Sequence, residues 1–177
     1  MKKFLTFLAI VAAAAMTLSS CNNDGKKEAP KPQDAMVGWW EWTTMHVLIQ
    51  TADKSTTMTE YDQTPEAAGG NQKFIYIEKD GSDYIIYRYN YYANTGVYSY
   101  KKATGVISGD GFEASGSWPI PLKGTLVVAT STTLEETVEG TGDMAALGAP
   151  GAEGYVKTVT TFKASSAPSW KDEAVAE

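Results

Sequence analysis

The strongest constraint on the fold is an alternation of apolar and polar residues with a period of two. It is clearest in two β-rich runs on either side of Lys79-Asp80-Gly81-Ser82, KFIYIEKDGSDYIIYRYNYY. Alternation of this kind places successive side chains on opposite faces of a strand. An Asp-Gly pair between two such runs is a strong hairpin signal. The segment therefore predicts an antiparallel β-hairpin.

Similar runs follow one another along most of the chain, separated by glycines and prolines. They predict eight or nine strands, with a Gly- and Ala-rich loop between Gly140 and Gly154. The sequence contains no long amphipathic helix after its N-terminal segment. Parallel neighbouring strands need a crossover connection, which is usually such a helix, so we expect the strands to be antiparallel. The runs are VGWWEWTTMHVLIQ, STTMTEY, GVYSYKK, TGVISG, GFEASGSW, KGTLVVATSTTLEETVEG and YVKTVTTFKAS.

These observations predict an all-β domain whose antiparallel strands follow one another up and down. Eight such strands can close into a barrel, which removes exposed sheet edges and leaves room for one small ligand. The alternative is a β-sandwich with a packed interior, because closely spaced short strands are also typical of that architecture.

The first predicted strand contains the motif Gly38-Trp39-Trp40, directly after a polar stretch. With the strand count and order, this Gly-x-Trp resembles the lipocalin superfamily, and more closely the lipocalin-like lipoproteins of Bacteroidota, which are calycin-type β-barrels. The resemblance implies that Trp40 packs across the closed bottom of the barrel and that Gly38 lets the chain turn in beneath it. True lipocalins carry a late arginine that stacks on this tryptophan, whereas the last strand here offers only Lys157 and Lys163.

The N-terminus reads as a secretory signal, with a basic start, the apolar run FLTFLAIVAAAAM and small residues before Cys21. That apolar run is shorter than the roughly 20 residues that a membrane span needs. Leu18-Ser19-Ser20-Cys21 resembles a bacterial lipobox, which implies that Cys21 becomes the mature N-terminus and is acylated with chains such as palmitate. The alternative is an ordinary signal peptide followed by a free thiol.

Composition changes along the chain predict four segments. Residues 1–20 form the lipoprotein signal peptide and residues 21–34 a disordered tether that is polar and rich in charge and proline. Residues 35–164 form the lipocalin-like barrel domain, and residues 165–177 a flexible C-terminal tail in which Trp170 could fold back to plug one end of the domain. Together with the lipobox, this order predicts an outer-membrane lipoprotein facing either the periplasm or the cell exterior.

The charge balance argues against nucleic-acid partners. The chain carries 15 Lys and Arg against 21 Asp and Glu, a formal net charge of −6, and Arg88 is its only arginine. Nucleic-acid binding needs clustered basic residues that displace counterions. With a single cysteine, the fold also depends on its hydrophobic core rather than on an internal disulfide.

Few side chains are available for catalysis. His46 is the only histidine, and strand parity places it on the same face as Trp40 and Trp42. We expect it to be a packed or hydrogen-bonded residue. Cys21 is committed to lipid, and no Cys or His pairs have the spacing of zinc ligands. The run GTLVVATSTTLEETVEG contains three glutamates, Glu135, Glu136 and Glu139. We expect them to form a solvated strand edge. The less favoured alternative is that they bind a hard cation such as calcium. The sequence therefore predicts no enzyme activity, no cofactor and no metal.

Aromatic residues give the better functional lead. In YIIYRYNYY, parity places Tyr87 and Tyr89 on one face of the strand and Arg88 on the other. Tyrosines offer flat apolar area and a hydroxyl, which suit amphipathic ligands, and Arg88 could orient an anionic one. We predict that Tyr87, Arg88, Tyr89 and Trp118 line a ligand site.

The main hypothesis, implied by the resemblance, is non-catalytic binding of a small hydrophobic or amphipathic molecule in the barrel. The alternative is an envelope or cell-surface protein that recognises a glycan or a protein through a tyrosine-rich sheet face. An esterase- or isomerase-like enzyme in a calycin barrel is a third and less supported reading.

Overall fold

The computed structural model describes residues 31–114, 123–143 and 153–177. Cys21, the signal peptide, most of the predicted tether and Trp118 lie outside these residues. Two short 3-10 helices span Pro32–Met36 and Lys171–Glu173. The strands are β1 (Gly38–Thr51), β2 (Thr57–Gln63), β3 (Gln72–Asp80), β4 (Asp83–Tyr92), β5 (Val97–Ser108), β6 (Gly111–Ala114), β7 (Lys123–Thr130), β8 (Thr133–Asp143), β9 (Glu153–Ser165) and β10 (Val175–Ala176).

Eight of these strands form a closed antiparallel barrel. Around the ring the order is β1-β3-β4-β5-β6-β7-β8-β9, and β9 pairs back with β1. β2 pairs with the second half of β1 outside the ring, and β10 adds in parallel to the start of β5. The predicted up-and-down barrel of lipocalin-like architecture is confirmed, and the sandwich alternative is wrong because the β5–β6 pairing completes the ring.

The hairpins follow the turn residues. β3 and β4 meet where predicted, in a two-residue turn at Gly81-Ser82 in which Gly81 has a positive φ of 62°. The run KGTLVVATSTTLEETVEG was expected as one long strand, but the structure divides it into β7 and β8 around Ser131-Thr132. This polar run has no glycine or proline at the turn, so the sequence did not signal it.

A β-bulge divides β1 into two halves with opposite parity. Trp42 pairs with Phe162, whereas Thr44 pairs with Thr161, so that Thr43 is the extra residue. A bulge of this kind moves every later side chain to the other face. Trp40 and Trp42 therefore point into the barrel, and so does Met45, but His46 points outward.

The 3-10 helix Pro32–Met36 closes one end of the barrel. Met36 is fully buried, and the Trp40 indole Nε1–H donates to its carbonyl oxygen at 2.8 Å. Gln33 is also buried and donates from Nε2 to the Gly109 carbonyl at 3.0 Å. The packed domain therefore begins at Pro32, three residues before the predicted boundary. Gly38, which follows this helix, has a φ of +132°, a conformation that favours glycine.

The inward-facing residues above this helix form the hydrophobic core. Period-two alternation brings them to one side of their strands, as predicted. They are Trp40, Trp42, Ile75, Ile77, Tyr84, Ile86, Phe112, Leu126, Leu134 and Phe162.

The C-terminal segment packs on the outside of the barrel rather than forming a flexible tail. Trp170 is 7% exposed, and its Nε1–H donates to the Gln72 side chain at 2.9 Å. β10 then pairs with Ser99 and Tyr100, and the Glu177 N–H donates to the Tyr100 carbonyl at 3.0 Å. Trp170 returns to the domain as expected, but it packs on the outer face of the sheet and does not plug one end of the barrel. None of the helices in the described ranges is long and apolar enough to span a membrane.

Candidate functional site

A cavity of about 440 Å³ lies inside the barrel, at the end away from the Pro32–Met36 helix. It begins beyond Arg88 on β4 and is lined further along that strand by Asn90 and Tyr92. Tyr92 and Glu177 both line the cavity and are exposed to solvent. The cavity therefore reaches the surface at this end of the barrel.

An ion pair between Arg88 and Glu136 crosses the barrel at the base of the cavity. Arg88 is on β4 and Glu136 on β8, which lie four strands apart in either direction around the ring. Nη1 of Arg88 donates to Oε2 of Glu136 at 3.1 Å, and Nη2 donates to Oε1. The side chains are only 12% and 3% exposed. Such buried charges persist only when they are paired and hydrogen-bonded.

Two lysines add positive charge to the cavity wall, Lys73 from β3 and Lys101 from β5. The Lys73 ammonium lies over the Trp42 ring, 4.7 Å from its centroid. Burial lowers the pKa of Lys73, and the Arg88 charge acts in the same direction, while Glu136 opposes both. Lys73 is thus a cation held in a partly desolvated position.

The rest of the wall mixes apolar and hydroxyl groups. Met45, Ile75 and Phe162 supply apolar surface, and Thr158 and Thr160 supply hydroxyls. A cavity with a mostly apolar wall and a few polar groups is typical of small-molecule sites.

The structure separates the residues that the sequence placed in one site. Arg88 lines the cavity, but Tyr87 and Tyr89 lie on the outer face of β4, because neighbouring strand residues point to opposite sides. Trp118 lies outside the described residues. Of the described members of the predicted set, only Arg88 lines the cavity, and the structure does not bring Tyr87 and Tyr89 together with it.

Sequence reasoning missed Lys73, Lys101 and Glu136. Glu136 was expected on a solvated edge, yet it is 2% exposed and its strand is paired on both sides. The signal was present, since Leu134, Glu136 and Val138 alternate and share one face. Reading the glutamates as a charge run concealed that alternation.

The outer tyrosines form a second feature, which we call the aromatic strip. Most of its ring pairs are stacked or tilted, with centroids 4.7 Å apart for Trp39 and Tyr76 and 5.4 Å apart for Tyr89 and Tyr100. Trp170 covers one end and lies 5.1 Å from Tyr98. The strip consists of Trp39, Phe74, Tyr76, Tyr87, Tyr89, Tyr91, Tyr98, Tyr100 and Trp170.

His46 lies on the outer surface between two carboxylates of β2. Its Nδ1 is 2.8 Å from Oδ1 of Asp62, and its Nε2 is 3.2 Å from Oε1 of Glu60. The hydrogen bond with Asp62 raises the pKa of the imidazole. The side chain is 41% exposed, so the expected position on the face of Trp40 and Trp42 is wrong, and the bulge at Thr43 explains why. The hydrogen-bonded role, which the sequence left open beside a packed one, is the role observed. Within the described ranges, no group of three or more His, Cys, Asp or Glu side chains is placed to hold a metal ion.

The fold and its cavity together define a class of protein, a closed up-and-down β-barrel with a ligand-sized interior, consistent with a lipocalin-like fold. No protein-family model, curated protein or solved structure matches the chain at a significant level.

Proposed function

We propose that this domain binds a small amphipathic molecule in its barrel cavity without transforming it. The observation that carries the proposal is the cavity of about 440 Å³, which falls within the range of roughly 300–1,000 Å³ typical of ligand sites. Its apolar wall suits a hydrocarbon body, and its charged base suits a polar head.

The placement of the reactive side chains supports a binding role. His46 contacts Asp62 and Glu60 on the outer surface, away from the cavity. The Glu136 carboxylate at the base of the cavity is already engaged, since each of its oxygens accepts a hydrogen bond from Arg88. A general base needs to reach the proton that it removes from a bound substrate, and His46 does not reach the cavity.

We further propose that Cys21 is acylated and holds the domain at the outer membrane, on the periplasmic side or at the cell surface. The support is the lipobox-like Leu18-Ser19-Ser20-Cys21 behind an apolar stretch. Mass spectrometry of the membrane fraction tests this proposal, because an acylated Cys21 adds the mass of its lipid and Cys21→Ser removes it.

Titration with the neutral dye Nile red tests whether the cavity binds ligands. Thr158→Trp fills the cavity from β9, and Lys157→Trp places the same side chain on the outer face of that strand. We expect dye binding by the wild type and by the Lys157 variant, and a loss of binding in the Thr158 variant. Equal binding by both variants would place the dye outside the cavity and contradict the proposal. Native mass spectrometry of protein purified from its own host then identifies a co-purifying ligand.

The aromatic strip supports the second candidate function, recognition of a glycan or a protein through the sheet face. Tyr76 and Tyr87 are only half-buried and have centroids 6.0 Å apart in a stacked arrangement. Replacing both with alanine should abolish binding to an envelope glycan if this face is the site, and should leave Nile red binding intact.

A further inference from the structure

We propose that the ligand of the cavity is an anionic amphiphile whose carboxylate head is bound by Lys73 and Lys101. This inference rests on the proposed function and adds to it the chemical class of the ligand. It follows from the way in which the charges around the cavity are paired.

Among the side chains that line the cavity, cations outnumber carboxylates by three to two. The cations are Lys73, Arg88 and Lys101, and the carboxylates are Glu136 and Glu177. The protein as a whole is acidic, with a formal net charge of −6. The cavity therefore differs from the rest of the protein in having more cationic than anionic side chains. A concave site with one sign of charge concentrates ligands of the opposite sign.

The carboxylates at the cavity are already engaged by other groups. Both oxygens of Glu136 accept hydrogen bonds from Arg88, and Oε1 of Glu177 accepts one from the Ser99 hydroxyl. Neither forms an ion pair with Lys73 or Lys101. The lysine charges are therefore left for a ligand.

Lys73 differs from the exposed lysines of the outer surface because it is partly buried and still lacks a carboxylate partner, whereas two of the exposed lysines have one. Lys79 and Lys163 each form an ion pair, with Asp34 at 2.6 Å and with Glu41 at 3.1 Å. Among the described residues, no carboxylate lies within ion-pair distance of Lys73, whose ammonium faces the Trp42 ring. Burial also lowers the pKa of Lys73, which means that its charged form is poorly compensated. A bound carboxylate would supply the missing partner through a charge-assisted hydrogen bond.

The cavity wall fits the remainder of such a molecule. Met45, Ile75 and Phe162 form an apolar surface beside the lysines. Lys73 and Lys101 lie on the same side of the barrel, because β3 and β5 both pair with β4. A head group bound there leaves a hydrocarbon chain to cover the apolar wall.

Isothermal titration with decanoate, decanol and decylamine tests the inference, because the three probes share a chain and differ in head group. We expect decanoate to bind wild-type protein about tenfold more tightly than decanol, the scale of one charge-assisted interaction, with decylamine weakest. Lys73→Met and Lys101→Met should each remove most of the preference for decanoate and leave decanol binding unchanged. Lys102→Met, the neighbouring lysine on the outer face of β5, is the matched control and should retain the full preference.

The possible outcomes separate the two proposals. Equal affinity for decanoate and decanol, or the tightest binding by decylamine, would overturn the anionic ligand and leave cavity binding standing. Failure of all three probes to bind would contradict the proposed function itself. The comparison of head groups uses wild-type protein, so it remains decisive even if one of the lysine variants does not fold.

Discussion

Arg88 and Glu136 depend on each other because both are charged groups inside the barrel. Removing one member of a buried pair leaves the other charge without compensation, whereas replacing both with apolar residues removes the desolvation cost as well. We expect Arg88→Met to lower the free energy of unfolding by about 3–5 kcal/mol. The double variant Arg88→Met/Glu136→Met should recover most of that loss.

Urea denaturation of Arg88→Met, Glu136→Met and the double variant measures this coupling. The exposed pair Lys163–Glu41 provides the control, and Lys163→Met should cost less than about 1 kcal/mol. If the double variant were destabilised by the sum of its two single losses, the two charges would not be acting as a pair.

Single residues were predictable where alternation alone decides their position. Strand alternation places Arg88 on one face and its neighbours Tyr87 and Tyr89 on the other, as observed. Alternation does not show which of the two faces is the interior. The prediction placed residues of both faces in one ligand site, whereas only the arginine face lines the cavity. The ion pair that makes a buried Arg88 tolerable comes from a strand 48 residues away, and no local pattern reveals it.

At the scale of the elements, the Pro32–Met36 helix is held to the barrel by Asp34. Its carboxylate accepts hydrogen bonds from the Lys79 ammonium at 2.6 Å and from the Tyr84 hydroxyl at 2.8 Å. These contacts lower the pKa of Asp34 from 3.8 to about 2. Because the folded-state pKa is the lower one, the stabilisation is present above about pH 4 and is lost as the pH falls towards 2.

We expect Asp34→Asn to flatten the dependence of stability on pH between about 4 and 2, because the variant lacks the titrating group. Thermal unfolding measured across this range checks the effect. Asp80→Asn, at the end of β3 beside Lys79, is the control and should retain the wild-type slope. An unchanged slope in the Asp34 variant would show that its contacts do not stabilise the folded state.

The C-terminal segment is a second element whose role depends on packing. Trp170 contacts the rings of Phe74 and Tyr98, with centroids 5.8 Å and 5.1 Å away. We expect Trp170→Ala to cost about 3 kcal/mol, typical of removing a buried aromatic side chain. Val175→Ala, at a position 68% exposed, should cost less than about 0.5 kcal/mol. Urea denaturation of both variants tests this, and equal losses would contradict the packing.

Elements were predictable where turn residues mark their ends. The β3–β4 hairpin follows from its Asp-Gly signal, but the β7–β8 turn at Ser131-Thr132 has no such marker. The bulge at Thr43 is likewise set by the pairing of β1 with β9, which is a tertiary choice. That single extra residue moved His46 from the expected interior to the outer surface.

At the scale of the whole molecule, the sequence predicted a barrel because alternating strands without crossover helices have few other ways to bury one face. Whether the interior is filled or hollow depends on how side chains from opposite strands meet, which is not a sequence pattern. Here large side chains fill the end near Met36, whereas the other end is lined by residues such as Asn90, Thr158 and Lys101 and leaves a cavity.

Backbone and methyl NMR of the domain, titrated with decanoate, tests the central claim most directly. If the cavity is the binding site, the largest shift changes will occur at Lys73, Lys101 and Thr158, with Tyr76 and Tyr87 of the aromatic strip unaffected. Changes confined to the aromatic strip, with none in the cavity, would contradict the account.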